Sequence, residues 1–437
     1  MAGAQSIQKQ LHKVQKGETI YAISRLYNIT AEQLEAANPH VVNHKIKKGM
    51  QLVIPTTVNT PVQPSQEAPT VEVVAQTKPA PRTHYESLRI GVLLPLEEQS
   101  ERVGKLLEFY KGMLMAADSV RGEGCHLDIH TWHCGKSDDE MRDVLKKVEK
   151  VKLDIIFGPA DAVQIPTLAT YCNEHDVRLV LPFSNNFDTN NYPNVYVATP
   201  SQSLLTKLAA KLVLDAQHGR NYVFVHTNQP DNRGSLFVET LRREMSAQGI
   251  DANTFNIDAD DSALEIALNE YQQNYLIVDN TSIRTLNILL SRLDNFRHTH
   301  PEYSFSLQGY PEWQAYTSSC LGEMYAYDTY AYANYFKNPL SPHTQFFQAA
   351  FTRNFGIKMS PSIPQYALMG FDLGYFFIHG LCTLGDCFEM QCNDLTYKPF
   401  QHPFIFKRES ESTGFTNSAV QLIHYTPQQT LEIVTPL

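Results

Sequence analysis

After residue 88, apolar positions come in short unbroken runs separated by longer stretches at helical spacing. Leu88-Arg89-Ile90-Gly91-Val92-Leu93-Leu94-Pro95 reads as a strand buried on both faces. Val103, Leu106, Leu107, Tyr110, Met113, Leu114 and Ala117 then recur with the period of an amphipathic helix. The alternation continues with strand His126–Trp132 and helix Asp138–Glu149, strand Leu153–Gly158 and helix Val163–Glu174, and strand Arg178–Pro182. Near Val195–Thr199 the pattern crosses over to a second series. Its predicted strands are Tyr222–His226, Asp251–Ile257, Tyr275–Asp279 and Ser304–Gly309, with helices Gly234–Gln248, Ser262–Gln272 and Ser282–Phe296 between them. Glu323–Tyr327 is expected as another strand, followed by helices Pro342–Phe355 and Pro364–Leu384 and strands around Phe404–Phe406 and Val420–Tyr425. Apolar strands alternating with helices predict an α/β fold of doubly wound parallel sheets, and two series predict two lobes.

The first 55 residues follow a different rhythm. Leu11–Val14 reads as a short strand, Gly17-Glu18-Thr19 opens a helix carrying Ile20, Ile23 and Leu26, and Thr30-Ala31-Glu32-Gln33 resembles the start of a second helix that Asn38-Pro39 stops. Lys48-Gly49-Met50 turns into the strand Gln51–Ile54. Residues 56–88 hold Pro61, Pro64, Pro69, Pro79 and Pro81, contain no Gly and show no apolar period. They read as an extended linker with a reach on the order of 100 Å in a polyproline conformation. The expected organisation is a tail (1–10), a small βααβ module (11–55), the linker (56–88) and a bilobal domain (89–437).

In the module, Val14-x-x-Gly17-Glu18-Thr19-Ile20-Tyr21-x-Ile23-Ser24, Ile29-Thr30-x-x-x-Leu34-x-x-x-Asn38 and Ile46-x-x-Gly49-x-x-Leu52-x-Ile54-Pro55 resemble the full LysM pattern. The resemblance implies binding of an N-acetylglucosamine-containing glycan such as peptidoglycan. It places Gly17, Glu18, Thr19 and Ile20 on one wall of a shallow groove, with His44, Lys45 and Ile46 on the other. The larger domain resembles the type I periplasmic binding proteins, which include amino-acid receptors and activators of penicillin-binding proteins. Four stretches carry that likeness: Arg89–Leu96, Asp154–Pro159, Val180–Asn186 and Tyr366–Asp372.

Such folds bind ligands at the carboxyl ends of their strands, between the lobes. The candidate cleft residues are Pro95, Leu96, Pro159, Ala160, Ser184 and Asn185 on the first lobe. On the second they are Arg233, Asp279, Asn280, Tyr310, Trp313 and Asp372. By the resemblance, Ser184-Asn185 suits a carboxylate-gripping loop and Asp279 an ammonium acceptor. The loop Pro159-Ala160-Asp161-Ala162 offers no hydroxyl, and Asp161 is expected to repel a carboxylate. A free α-amino acid is therefore not the expected ligand. Tyr310 and Trp313 are expected instead to offer flat faces to a sugar, a peptide or a partner's side chain.

Charge and composition narrow the partners. The chain carries a net −10 over 437 residues, yet residues 1–55 hold seven Lys/Arg against three Glu, so the acidic excess lies in the larger domain. That surface argues against nucleic acid. No GxSxG, HExxH, CxxC or GxxxxGK motif occurs, and no enzyme activity, metal or other cofactor is expected. His126, His130, His133 and Cys134 come nearest to a metal cluster but lack a second ligand pair at metal spacing. Seven cysteines fit either free buried thiols or bridges such as Cys125–Cys134 with a pair among Cys382, Cys387 and Cys392. No uncharged apolar run reaches about 18 residues, so no membrane span is expected. Ala2-Gly3-Ala4 resembles the end of a secretory signal, and a cloning remnant fits as well. The expected function is an exported envelope protein of the periplasm. Its LysM module would hold peptidoglycan while the bilobal domain takes a small ligand or a cell-wall synthase. The alternatives are a solute receptor for a transporter or a LysM-targeted peptidoglycan hydrolase.

Overall fold

The computed structural model describes residues 10–14, 19–20, 23–24, 27, 31–38, 41, 46–54, 84–85, 87–97, 100–339 and 341–434. The chain divides into two compact units, Met1–Lys78 and Pro79–Leu437.

In the first unit, β1 (Gln10–Lys13) pairs antiparallel with β2 (Gln51–Ile54), Leu11 opposite Val53. Helix α1 is Ala31–Ala36. Of the first expected helix, Ile20, Ile23 and Ser24 are described, and all three are helical. Val14, Ile20, Ile23, Leu34, Val41, Leu52 and Ile54 form the core. A core this small is marginal by itself, so its polar clamp matters. Asn38 is fully buried and donates to Leu34 O (2.7 Å) and Val53 O (2.8 Å), while its Oδ1 accepts from Val53 N–H (2.7 Å). One side chain thus closes the helix end onto the last strand. At the turn, Gly49 adopts φ +89°, and its N–H bonds Val14 O at 2.8 Å.

The second unit begins with β3 (Ser87–Leu94), α2 (Glu101–Gly122), β4 (His126–His133), α3 (Asp138–Val148), β5 (Ile155–Phe157), α4 (Ile165–Glu174), β6 (Arg178–Leu181) and β7 (Val195–Val197). It crosses to a second lobe made of α5 (Gln202–Ala216), β8 (Asn221–His226), α6 (Asn232–Ala247), β9 (Asn253–Asn256), α7 (Asp261–Ala267), β10 (Asn274–Val278), α8 (Ile283–Thr299), β11 (Phe305–Gly309), α9 (Thr317–Ala326) and β12 (Thr329–Ala333). The chain then returns to the first lobe as α10 (Pro342–Phe355), α11 (Tyr366–Leu384), β13 (Phe406–Lys407) and β14 (Phe415–Asn417). It ends in the second lobe with β15 (Gln421–Tyr425) and β16 (Leu431–Val434). The two seven-stranded sheets run β13-β14-β7-β6-β5-β3-β4 and β16-β15-β12-β11-β10-β8-β9. Every pairing is parallel except β13–β14, β12–β15 and β15–β16.

Both faces of these strands are packed. In β3, Leu88, Ile90, Val92 and Leu94 enter one core cluster and Leu93 another; in β5, Ile155 and Phe157 split the same way from Ile156. This two-sided burial is why the strands read as continuous apolar runs. Helix α11 lies against α2 in a close backbone-to-backbone crossing. A Cβ on Gly112 would collide with the Ala367 carbonyl, and one on Gly370 with the Phe109 carbonyl, so only glycine at both positions permits the approach. Length and apolar composition over Tyr366–Asp394 would suffice to cross a membrane, although the plain run length did not suggest it; 67% of its most apolar window is buried inside the unit, as in a core helix.

Two expectations change. Glu323–Tyr327 is not a strand: Met324 and Tyr325 sit buried at the end of α9, and Asp328 at φ +46° reverses the chain into β12. The alternating tyrosines imitated a strand one turn too early. Cys125 and Cys134 cannot bond, because they flank the eight residues of β4, which hold them about 30 Å apart. Cys125 is joined instead to Cys382 at the end of α11, with a Cα–Cα distance of 6.2 Å across 257 residues. The remaining five cysteines are free, and all but Cys387 are buried.

Candidate functional site

Because β6, β5 and β3 are neighbours, the loops after them share one edge of the first lobe and gather Ser184-Asn185, Pro159-Ala160 and Pro95-Leu96. Gly158 makes the sharp exit from β5 at φ +126°; a Cβ there would strike the Leu93 carbonyl. Ser184 is half-buried and Asn185 exposed, and neither hydrogen-bonds any described residue, which leaves their donors and acceptors open. Leu96 and Glu97 are held by N–H donation to His133 Nδ1 at 3.0 and 3.3 Å. Beyond Asn185 the same loop, Phe187 to Asn190, faces Lys407 and Arg408 across a cavity of about 530 Å³.

Asp161 does not stand as a bare charge. Arg102, in the first turn of α2, donates to its Oδ1 at 2.9 Å and to Ala160 O at 3.0 Å. The expected repulsion of a carboxylate is thereby neutralised. The sequence reading missed Arg102, which lies 59 residues from its partner. One signal was available: the helix after β3 starts at that strand's carboxyl end, so its first turn borders the same edge.

The second lobe gathers its candidates after β8, β10 and β11, which are also adjacent. Here the polar groups are already engaged. Asp279, 6% exposed, accepts from Thr227 N–H (3.0 Å), Thr227 Oγ1 (2.7 Å) and His226 Nδ1 (3.1 Å). Arg242 can only donate, so its contact with His226 Nε2 (3.2 Å) puts the ring proton on Nδ1, facing Asp279. Asn280 donates to Gln229 O (2.6 Å) and accepts from Ser282 N–H (2.9 Å) and Thr285 Oγ1 (3.0 Å), holding the start of α8. Arg233 pairs with Glu312.

Tyr310 and Trp313 are corrected outright. They are 0% and 1% exposed, inside the lobe's core, where Tyr310 Oη donates to Val278 O and Trp313 Nε1 to Thr281 O at 3.1 Å. Their rings cannot meet a ligand. Asp372 is likewise no cleft residue. It is 1% exposed on α11 and accepts from the N–H groups of Phe400 (2.7 Å), Gln401 (2.8 Å) and His402 (2.8 Å). Burial pushes its pKa up to about 7 against those three donors, while burial pulls His402 down to about 3.

In the small unit, Gly17, Glu18, His44 and Lys45 lie outside the described residues. Thr19 is exposed and Ile46 half-buried against the core. Ile20 is 1% exposed, so its side chain belongs to the core and cannot cover a sugar face.

Two α/β lobes joined by three crossings, with strand-end loops from each, make the larger unit a two-lobed type I periplasmic-binding fold. Among solved structures, a Rhodospirillum rubrum protein assigned as a branched-chain amino acid ABC transporter matches with a TM-score of 0.55 at 13% identity, covering 80% of this chain and 100% of that one. An ABC transporter substrate-binding protein from Desulfitobacterium hafniense in complex with Leu also matches, with a TM-score of 0.43, 16% identity and the same coverage. At 13% identity the likeness to the Rhodospirillum rubrum protein establishes the fold alone. Residues 12–55 match the LysM domain family. No curated protein matches the sequence.

Proposed function

We propose that this chain is a non-enzymatic binding protein of the cell envelope, held on peptidoglycan by its LysM module and presenting a bilobal domain to a small ligand or a cell-wall synthesis partner. The observation that carries this reading is the union, in one chain, of a LysM match at residues 12–55 with a ligand-binding fold. The Cys125–Cys382 bond supports an oxidising compartment. The glycan-facing residues of this reading are Gly17, Glu18, Thr19, His44, Lys45 and Ile46, with Ile20 supporting them from the core. In the bilobal domain the ligand-facing groups of this reading are those of Ser184 and Asn185, with the Arg102–Asp161 pair on the same strand-end edge.

Sedimentation of the full chain with insoluble peptidoglycan tests the anchor. Asn38→Ala removes three hydrogen bonds made by a buried side chain in the small unit and should abolish sedimentation, with the melting of the larger unit unchanged. Equal sedimentation of variant and wild type refutes the assignment. The protein should release no soluble muropeptides, and saturable release would point to an enzyme.

A second reading, a solute receptor, draws on the open hydrogen-bonding groups of Ser184 and Asn185. Against an α-amino acid ligand stands Asp279, whose oxygens already serve Thr227 and His226. Calorimetry with the twenty amino acids separates the two readings. Stoichiometric binding that Ser184→Ala weakens would favour the receptor.

A further inference from the structure

A cavity of about 310 Å³ sits where the chain passes from β12 back to the first lobe, and of its lining only Gln314 belongs to the strand-end loops described above. Leu321, Tyr425 and Leu431 wall it from the second lobe, Ile363 from the first, and Phe336 from the crossing segment. Ile363 keeps 49% of its surface exposed there, a large apolar side chain left uncovered at a lobe joint.

Two polar groups on the cavity wall are unsatisfied. Lys337 forms no ion pair with any described residue, and burial lowers its pKa. Its ammonium has thus lost hydration without gaining a counter-charge, which is costly unless an anion arrives. Gln365, 6% exposed, uses its Nε2 on Ser360 O and leaves Oε1 buried without a donor. The backbone around it is well tied: Gln365 N–H donates to Gln401 Oε1 at 3.0 Å, and Phe336 N–H to Gln401 O at 2.9 Å. The lone acceptor is therefore set in a firm frame.

We propose that this joint cavity binds a small amphiphilic carboxylate, its apolar body between Leu321, Ile363 and Leu431 and its carboxylate on Lys337, with a hydroxyl or N–H donor on the same molecule able to complete Gln365. The volume lies at the lower end of ligand pockets, enough for a short aliphatic chain or a single ring. Because the walls come from both lobes, the occupant would also fix their relative angle. Lys337, Ile363 and Gln365 lie outside the strand-end loops, so the site stands whatever ligand those loops take.

Calorimetry and thermal shift on the full chain with octanoate, 1-octanol and octylammonium test the proposal. Octanoate should bind saturably, one molecule per chain, and raise the melting temperature. 1-Octanol should bind more weakly and octylammonium not at all. Lys337→Met should weaken octanoate at least about tenfold, the loss expected for one charge pair at a partly buried site, while Lys337→Arg retains binding. Leu321→Trp fills the cavity and should block octanoate. If that variant does not fold, the Lys337 pair decides alone. Absence of saturable octanoate binding below about 1 mM overturns the proposal. So does equal affinity in Lys337→Met, or octylammonium binding as tightly as octanoate.

Discussion

The strand-end loops of the two lobes look alike in sequence and differ in what they leave open. Those of the second lobe spend their polar groups on themselves: Asp279 on Thr227 and His226, Asn280 on the start of α8, Trp313 on Thr281 O. Those of the first leave Ser184 and Asn185 uncommitted and hold one neutralised pair, Arg102 and Asp161. A buried polar group that already has its partners stabilises a loop and has little left for a ligand. Selectivity in this protein should therefore be written mainly on the first lobe, with the second acting as a preformed wall.

The contrast can be broken most directly at Trp313. Trp313→Ala removes a fully buried ring and should cost about 3–5 kcal/mol in urea unfolding. Unchanged stability with lost ligand binding would return Trp313 to the cleft. The lobe joint offers the next largest effect, through pH. Asp372, with its pKa raised to about 7, takes up a proton on folding between pH 4 and 7, so its contribution to stability is full below pH 4 and lost as pH rises through 7. His402, lowered to about 3, contributes in the opposite sense: full stability above its unfolded value near 6.5, lost as pH falls toward 3. Between pH 4 and 6.5 the two slopes cancel. His402→Gln should expose the Asp372 slope, stability falling by about 1.4 kcal/mol for each unit of rising pH relative to wild type. A difference independent of pH would mean that the pair does not titrate in this window. Asp279→Ala should cost about 1–3 kcal/mol by stranding the Thr227 and His226 donors, measured by denaturant unfolding. Ser184→Ala should change stability by less than about 0.5 kcal/mol and act only on ligand affinity. If Ser184→Ala destabilised the protein as much as Asp279→Ala, the difference between the lobes would vanish.

The fold was legible because its parallel strands are covered on both faces. Runs such as Ile155-Ile156-Phe157 have no polar face to hide them, and helices with one buried stripe separate them. Elements at the sheet edges were less legible. The short strand Phe415-Thr416-Asn417 carries two polar residues, and Leu431–Val434 is half exposed, so neither has a distinctive pattern. The site was legible only as positions on loops. Tyr310 and Trp313 sit just past a strand end, where sequence alone cannot say whether a ring turns outward or folds back under the sheet. The partners of Asp161, Asp372 and Cys125 are 59, about 28 and 257 residues away, and pairings at that range are properties of topology rather than of local pattern.

The bond from Cys125 to Cys382 also fixes an order of events. All five parallel strands from β8 to β12 lie between its two ends, contiguous in the chain. As the chain emerges N-terminus first during synthesis, that middle portion can begin to assemble at once. The first lobe cannot. Its α2 keeps the Gly112 face bare until α11 arrives, and the cysteine at residue 125 stays reactive until residue 382 has followed. While the second lobe lacks only its edge strands β15 and β16, the half of the domain made first thus stays open across the longest stretch of chain, from β3 to β14. It must wait as an open apolar surface with a free thiol beside it, the kind of intermediate that chaperones and thiol oxidases attend.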